Sequence, residues 1–232
     1  MSAAEWKKSC EAEWSLQGAP MPAGLDWKSV YEAKPFGRNL LKNPSPQGLC
    51  KDTPPPERAT SDAPSRGPPR FESDGDFSGW TTNTEVLPYD TSGIPKGAVV
   101  CQLPRYSWFS LEQVLDLKAE GLWEELMDEF QPEIFVQDWY EESRLHKFIY
   151  QLHVKLLDAD KTVISEHSVN PTEDRSVHSH EWKEVSHLFS GYGPGVRFVH
   201  FLHRVKNMFM FEFFPTSFTG SSVIVRPTKT SA

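Results

Sequence analysis

Eight histidines and a surplus of aromatic side chains are the residues most able to do chemistry. His178-Ser179-His180 puts two imidazoles on the same side of an extended segment, a spacing that can chelate a metal. No cysteine or carboxylate cluster completes such a site in sequence, although Glu166 and His167 can lie near it in space. The plainer reading is a polar turn leading into a strand at Trp182. His200 and His203 fall on opposite faces of their strand and cannot act as a pair. Each is expected at the edge of the core with a hydrogen-bond partner.

Nucleophile and phosphate motifs are absent: there is no Gly-x-Ser-x-Gly, no P-loop, and no Gly-x-Gly-x-x-Gly after a strand. The glycine-rich run 191–195 sits in a hairpin-like context with no following helix, so no helix N-terminus awaits a phosphate. Glu124-Glu125 and Glu141-Glu142 are adjacent carboxylates on exposed segments, unlike a glycosidase pair set across a cleft. An enzyme is not expected and no cofactor is implied. Most of the eight tryptophans must be core and corner residues. Aromatic faces at strand ends also hold sugars, helped by a few polar groups.

The elements that would position these residues are mainly β from Gly79 onward. Residues 147–157 alternate with period two, with Phe148, Tyr150, Leu152, Val154 and Leu156 on one side. A turn at Asp158-Ala159-Asp160 leads to a β-branched stretch at 162–164. Residues 182–189 read as a further strand. Residues 196–203 are apolar on both faces and are expected centrally, 208–214 are rich in phenylalanine, and 221–226 form the last strand. Strands this closely spaced, joined by turns, indicate an antiparallel sandwich or barrel. The one helix expected is 122–130, where Leu122, Leu126 and Phe130 repeat every four residues. Residues 114–117 fit strand or helix.

Composition divides the chain into three parts. Residues 1–43 are aromatic and charged. Residues 44–72 carry eight of the 19 prolines and few large apolar side chains, so they cannot offset the entropy of ordering and read as a disordered insertion. A proline-rich ligand for an SH3-type domain is the sharper reading of that segment. Residues 73–232 form the main β body. The formal charge of −8 gives no footprint for nucleic acid. No basic run matches an anionic membrane, and no apolar stretch suits a signal peptide or transmembrane segment. Cys10, Cys50 and Cys101 are too widely spaced for a disulfide framework or a zinc pattern and are expected as reduced thiols. The expected location is cytoplasmic, with peripheral association with the plasma membrane kept open.

Several phrases, in order and spanning about residues 30–227, resemble the F-box-associated (FBA) family. They are RNLLKNP (38–44), DLKAEGLWEEL (116–126), Gln131-Pro132 followed by Asp138-Trp139-Tyr140, WKEVSHLF (182–189), GYGPGVRFV (191–199) and SSVIVRP (221–227). The resemblance implies an all-β, antiparallel β-sandwich of jelly-roll (galactose-binding-like) type with a short helix. It also implies recognition of a protein or glycoprotein ligand, as a receptor-like or adaptor module. Full-length members dock a ubiquitin ligase through Skp1 and cullin in glycoprotein degradation. Here WKKSC (6–10) resembles only the tail of an F-box, so the Skp1/cullin link stands as the alternative. Sugar-binding members carry a Tyr-Trp pair followed by Lys in the loop before the last strand. Those positions fall on Phe209, Met210 and Phe211, and a second pocket aromatic falls near Tyr106. The implied glycan pocket is therefore apolar and altered.

Overall fold

The computed structural model describes residues 1–46, 76–86, 96, 107–142, 150–171, 181–207 and 218–228. Their strands are β1 (Thr81–Val86), β2 (Ser107–Asp116), β3 (Glu133–Glu142), β4 (Tyr150–Leu157), β5 (Val163–Val169), β6 (Glu181–Phe189), β7 (Phe198–Asn207) and β8 (Phe218–Arg226). They form two antiparallel sheets, in the orders β1-β2-β7-β4-β5 and β6-β3-β8. The expected β-sandwich is what the chain builds.

Alternation explains how the sheets face one another. In β4, Tyr150, Leu152, Val154 and Leu156 are buried, as the period-two pattern requires. Strand β7 is central, between β2 and β4, which accounts for its apolar residues. Val199, Phe201, His203 and Val205 face the core, and Ile134, Val136, Val223 and Val225 close it from the other sheet. The ambiguous stretch 114–117 belongs to the end of β2 and the turn beyond it. The proline-rich segment lies outside the described residues except for its first three positions.

Helical structure differs from expectation in extent. The segment 122–130 contains a short π-helix, Leu126–Phe130, ended by Gln131 in the left-handed region. Leu122 and Leu126 are buried as its spacing predicts. Two further helices, not anticipated, occupy the N-terminal segment: α1 (Ala3–Trp14) and α2 (Trp27–Ala33). Ser2 and Glu5 close a capping box on α1, and Asp26 caps α2 through the Ser29 amide. Trp6, Cys10 and Trp14 recur every four residues on one face of α1. That face packs on the body: Trp6 and Trp14 meet Tyr31, Trp14 meets Phe36, and Cys10 donates to the Trp27 carbonyl. Trp27 and Phe36 in turn pack edge-on against Trp123.

The helices lie at one end of the sandwich, and the strand ends that flank the long connections lie at the other. Val86 pairs with Ser107, Ser107 with Asn207, and Glu142 with Glu181, so the segments joining β1 to β2, β3 to β4, β5 to β6, and β7 to β8 all leave from one end. Tyr140 and Tyr150 stack at 4.4 Å across the β3-to-β4 connection, which brings that end of both sheets together. Trp123 and the π-helical turn, against which α2 and the Phe36 segment pack, belong to the other end.

Candidate functional site

The four positions singled out for ligand contact, Tyr106, Phe209, Met210 and Phe211, lie outside the described residues, as do His178 and His180. The flanks of the first four are well placed. Ser107 opens β2, Asn207 closes β7, and the two are register partners. The chain therefore enters β2 and leaves β7 side by side at the long-connection end.

Directly beneath that end lies a fully buried carboxylate, Asp138 of β3. Its Oδ2 accepts from the Tyr150 hydroxyl at 2.5 Å and from His203 Nδ1 at 2.8 Å. Its Oδ1 accepts from the Ser221 hydroxyl at 2.7 Å. The donors come from β4, β7 and β8, so one side chain ties together strands of both sheets. Three donors offset the loss of hydration that a buried carboxylate suffers. Burial, then the adjacent Asp138 charge, pushes the Tyr150 phenol far above its ordinary range.

Aromatic rings enclose this hub. Trp80 stacks on His203 at 4.9 Å and 12°, Phe218 lies 4.1 Å from the same imidazole, and Trp80 Nε1 donates to the Asn43 carbonyl at 2.8 Å. His203 Nε2 is buried and meets no hydrogen-bond partner among the described residues. The Ser221 hydroxyl meets the carboxylate and not the imidazole, so the group has no nucleophile–base contact. Its chemistry is that of a clamp: it holds the roots of β4 and β8, where the connections from β3 and β7 arrive.

The hub was not singled out from sequence, yet a signal existed. Ile134, Val136 and Asp138 share one parity in β3, and the first two are core residues. A charged residue in phase with a buried apolar series marks a paired interior group. The expected separation of His200 from His203 holds. His203 faces the core, and His200 faces outward to Glu112 at 2.7 Å.

At the other end, the glycine-rich run 191–195 serves the fold. Gly191, Gly193 and Gly195 have positive φ. The Gly195 amide donates to Asp128 Oδ1 at 2.7 Å, and the Gly193 amide to Gln131 Oε1 at 3.0 Å. These amides are thus engaged by side chains of the π-helical turn. Arg197 grips both Asp128 oxygens at 2.8 Å, and this hydrogen bonding holds the Asp128 carboxyl below its usual range. Glu124 pairs with Lys118 at 3.0 Å on the surface.

The described strands define an antiparallel β-sandwich braced at one end by a buried polar hub. The family model described as "F-box associated region" matches residues 31–225. The chain is 62% identical to F-box only protein 50 of Danio rerio, over 99% of each chain. It is 42% identical to F-box only protein 50 of Homo sapiens, over 82% of this chain and 62% of that protein. To F-box only protein 2 of Bos taurus it is 32% identical, over 96% of this chain and 70% of that protein. The chain belongs to the F-box associated region family.

Proposed function

We propose that this chain is a non-enzymatic recognition module that binds a protein or glycoprotein ligand at the long-connection end, as a receptor-like or adaptor protein. The carrying observation is the pairing of Ser107 with Asn207, which sets the start of β2, next in sequence to Tyr106, beside the end of β7, two residues before Phe209. Rigid strands that present adjacent loops are the usual platform for binding residues. Phe209, Met210 and Phe211 have apolar side chains with no strong hydrogen-bonding group. That composition favours a polypeptide surface over bare sugar hydroxyls.

The relatives' names bring in a second reading, a substrate-recognition subunit of an SCF-type ligase. Helix α1 speaks against Skp1 docking through its own surface. Its apolar side chains, Trp6, Cys10 and Trp14, are spent on the body, and its exposed positions are Ala3, Ala4, Glu5, Lys8, Glu11, Ala12 and Glu13. Such a face offers no buried anchor for a partner helix.

Two measurements test the proposal. In a glycan array with the full chain, the expected result is no free-glycan binding, and strong chitobiose or high-mannose signal would overturn the apolar-ligand reading. In co-expression with Skp1 and cullin, no stoichiometric complex is expected. Its recovery would establish the ligase reading instead.

A further inference from the structure

The outward faces of the two sheets differ in kind. On β4 the outward residues are Gln151, His153 and Lys155, the polar cover that a solvated sheet face carries. On the smaller sheet the outward residues include Trp182 and Leu188 of β6, Phe135 and Trp139 of β3, and Ile224 of β8. The residues that alternate with the last three, Ile134, Val136, Asp138, Val223 and Val225, are buried, so the pleat sends this apolar set away from the core. Trp182 is 48% exposed and Leu188 38%, which leaves large apolar side chains in contact with solvent.

Register orders the face into rows. Leu188, Phe135 and Ile224 lie side by side. Ser186, Gln137 and Ser222 form the next row, and Glu184 lies opposite Trp139 in the third. Trp182 follows two residues along β6, diagonal to Trp139. Directly opposed side chains start about 5 Å apart and diagonal ones about 7 Å apart, so the exposed Glu184 has both indoles as neighbours. Trp139 is held in place from below. A Cβ on Gly220, whose φ is +65°, would come within 3.2 Å of the indole Cδ1, so the missing side chain lets the ring lie against β8.

Two indoles beside a carboxylate make a site for a cation, because the ring quadrupoles and the formal charge attract it together. The same face already shows this chemistry, with the Arg226 guanidinium over the Phe135 ring at 4.4 Å. The formal charge of −8 adds a long-range pull on a basic partner. We propose that this face docks an extended segment of a partner protein, with a Lys or Arg side chain held by Trp139, Trp182 and Glu184 and an apolar side chain seated on the row of Leu188, Phe135 and Ile224.

The spacing of the rows defines the ligand further. Trp139 and Phe135 are four residues apart on β3, roughly 13 Å along the strand. An extended segment laid along β3 therefore carries its cation and its apolar residue four positions apart. Ser186 and Gln137, in the row between, offer donors and acceptors to the main chain that links them. The surface lies on the flank of the sandwich and uses neither Tyr106 nor Phe209–Phe211, so it is separate from the binding end proposed above.

Phage display of random dodecapeptides against the full chain tests the proposal. The selected sequences should share a Lys or Arg with an apolar residue four positions away. In calorimetry with the consensus peptide, Trp182→Ala and Glu184→Gln should each weaken binding about fivefold or more. Both change exposed side chains, and the circular dichroism spectrum should be retained. Selection repeated on Glu184→Lys should replace the shared cation by Asp or Glu. Phe209→Ser combined with Phe211→Ser should leave the affinity unchanged, which separates this surface from the long-connection end. Selected sequences without a shared cation, or with nothing in common, would overturn the proposal. So would a consensus peptide whose affinity survives Trp182→Ala and Glu184→Gln, or falls with the changes at Phe209 and Phe211.

Discussion

The Tyr150 hydroxyl donates to Asp138 Oδ2 at 2.5 Å, joining the first residue of β4 in one sheet to the interior of β3 in the other. This bond, with those from His203 and Ser221, makes the long-connection end one mechanical unit. Removing the acceptor strands all three donors, whereas removing one donor leaves the carboxylate two partners. Asp138→Ala should therefore cost about 3–5 kcal/mol and Tyr150→Phe about 1.5–3 kcal/mol. Urea unfolding of the three proteins measures both. Equal midpoints for Asp138→Ala and the unmodified chain would contradict a clamp role.

His167 and His187 stack at 3.8 Å between the edges of the two sheets. Burial lowers the affinity of both for protons, and the His167 ring also discourages charge on His187. The unfolded chain then binds more protons than the folded one once pH falls below about 6.5. Stability is complete above that value and declines as pH drops toward the lowered folded-state values. Phe at both positions should flatten the slope of unfolding free energy between about pH 6.5 and 5.5. An unchanged slope would count against the pair.

Cys10 is fully buried under α1, and burial raises its thiol pKa to about 11. The thiolate is the nucleophile, so at mildly alkaline pH this thiol is both protonated and shielded. Iodoacetamide should leave Cys10 unmodified in the native protein and label it fully in denaturant, by peptide mass spectrometry. Rapid native labelling would mean that α1 undocks readily.

The sugar-pocket positions that the family resemblance assigns to Phe209, Met210 and Phe211 yield an energetic comparison. Sugar hydroxyls buried against Phe209, Met210 and Phe211 find few donors or acceptors, at about 1–3 kcal/mol for each unmatched group. Two or three losses weaken binding by roughly two orders of magnitude or more, at about 1.4 kcal/mol per factor of ten. Calorimetry should detect no chitobiose binding at micromolar ligand. Phe209→Tyr, Met210→Trp and Phe211→Lys together should restore part of it. Tight binding by the unmodified chain would refute the account.

Much of this architecture was legible in one dimension because a strand's side chains alternate whatever surrounds it. Tyr150, Leu152, Val154 and Leu156 declared the buried face of β4, and the apolar run from Val196 declared a central strand. The spacing of His200 and His203 separated them onto two faces. Local periodicity is a property of the chain alone, and family phrases carried the rest of the fold. Partnership is not local. Asp138 meets Tyr150, His203 and Ser221 from 12, 65 and 83 residues away, and a lone carboxylate in a strand does not name its donors. Helix α1 was obscured because its polar residues dominate, and its apolar stripe has meaning only against Tyr31, Phe36 and Trp27. The order β6-β3-β8 was equally invisible in sequence, since which strands become neighbours is settled by pairing across the fold.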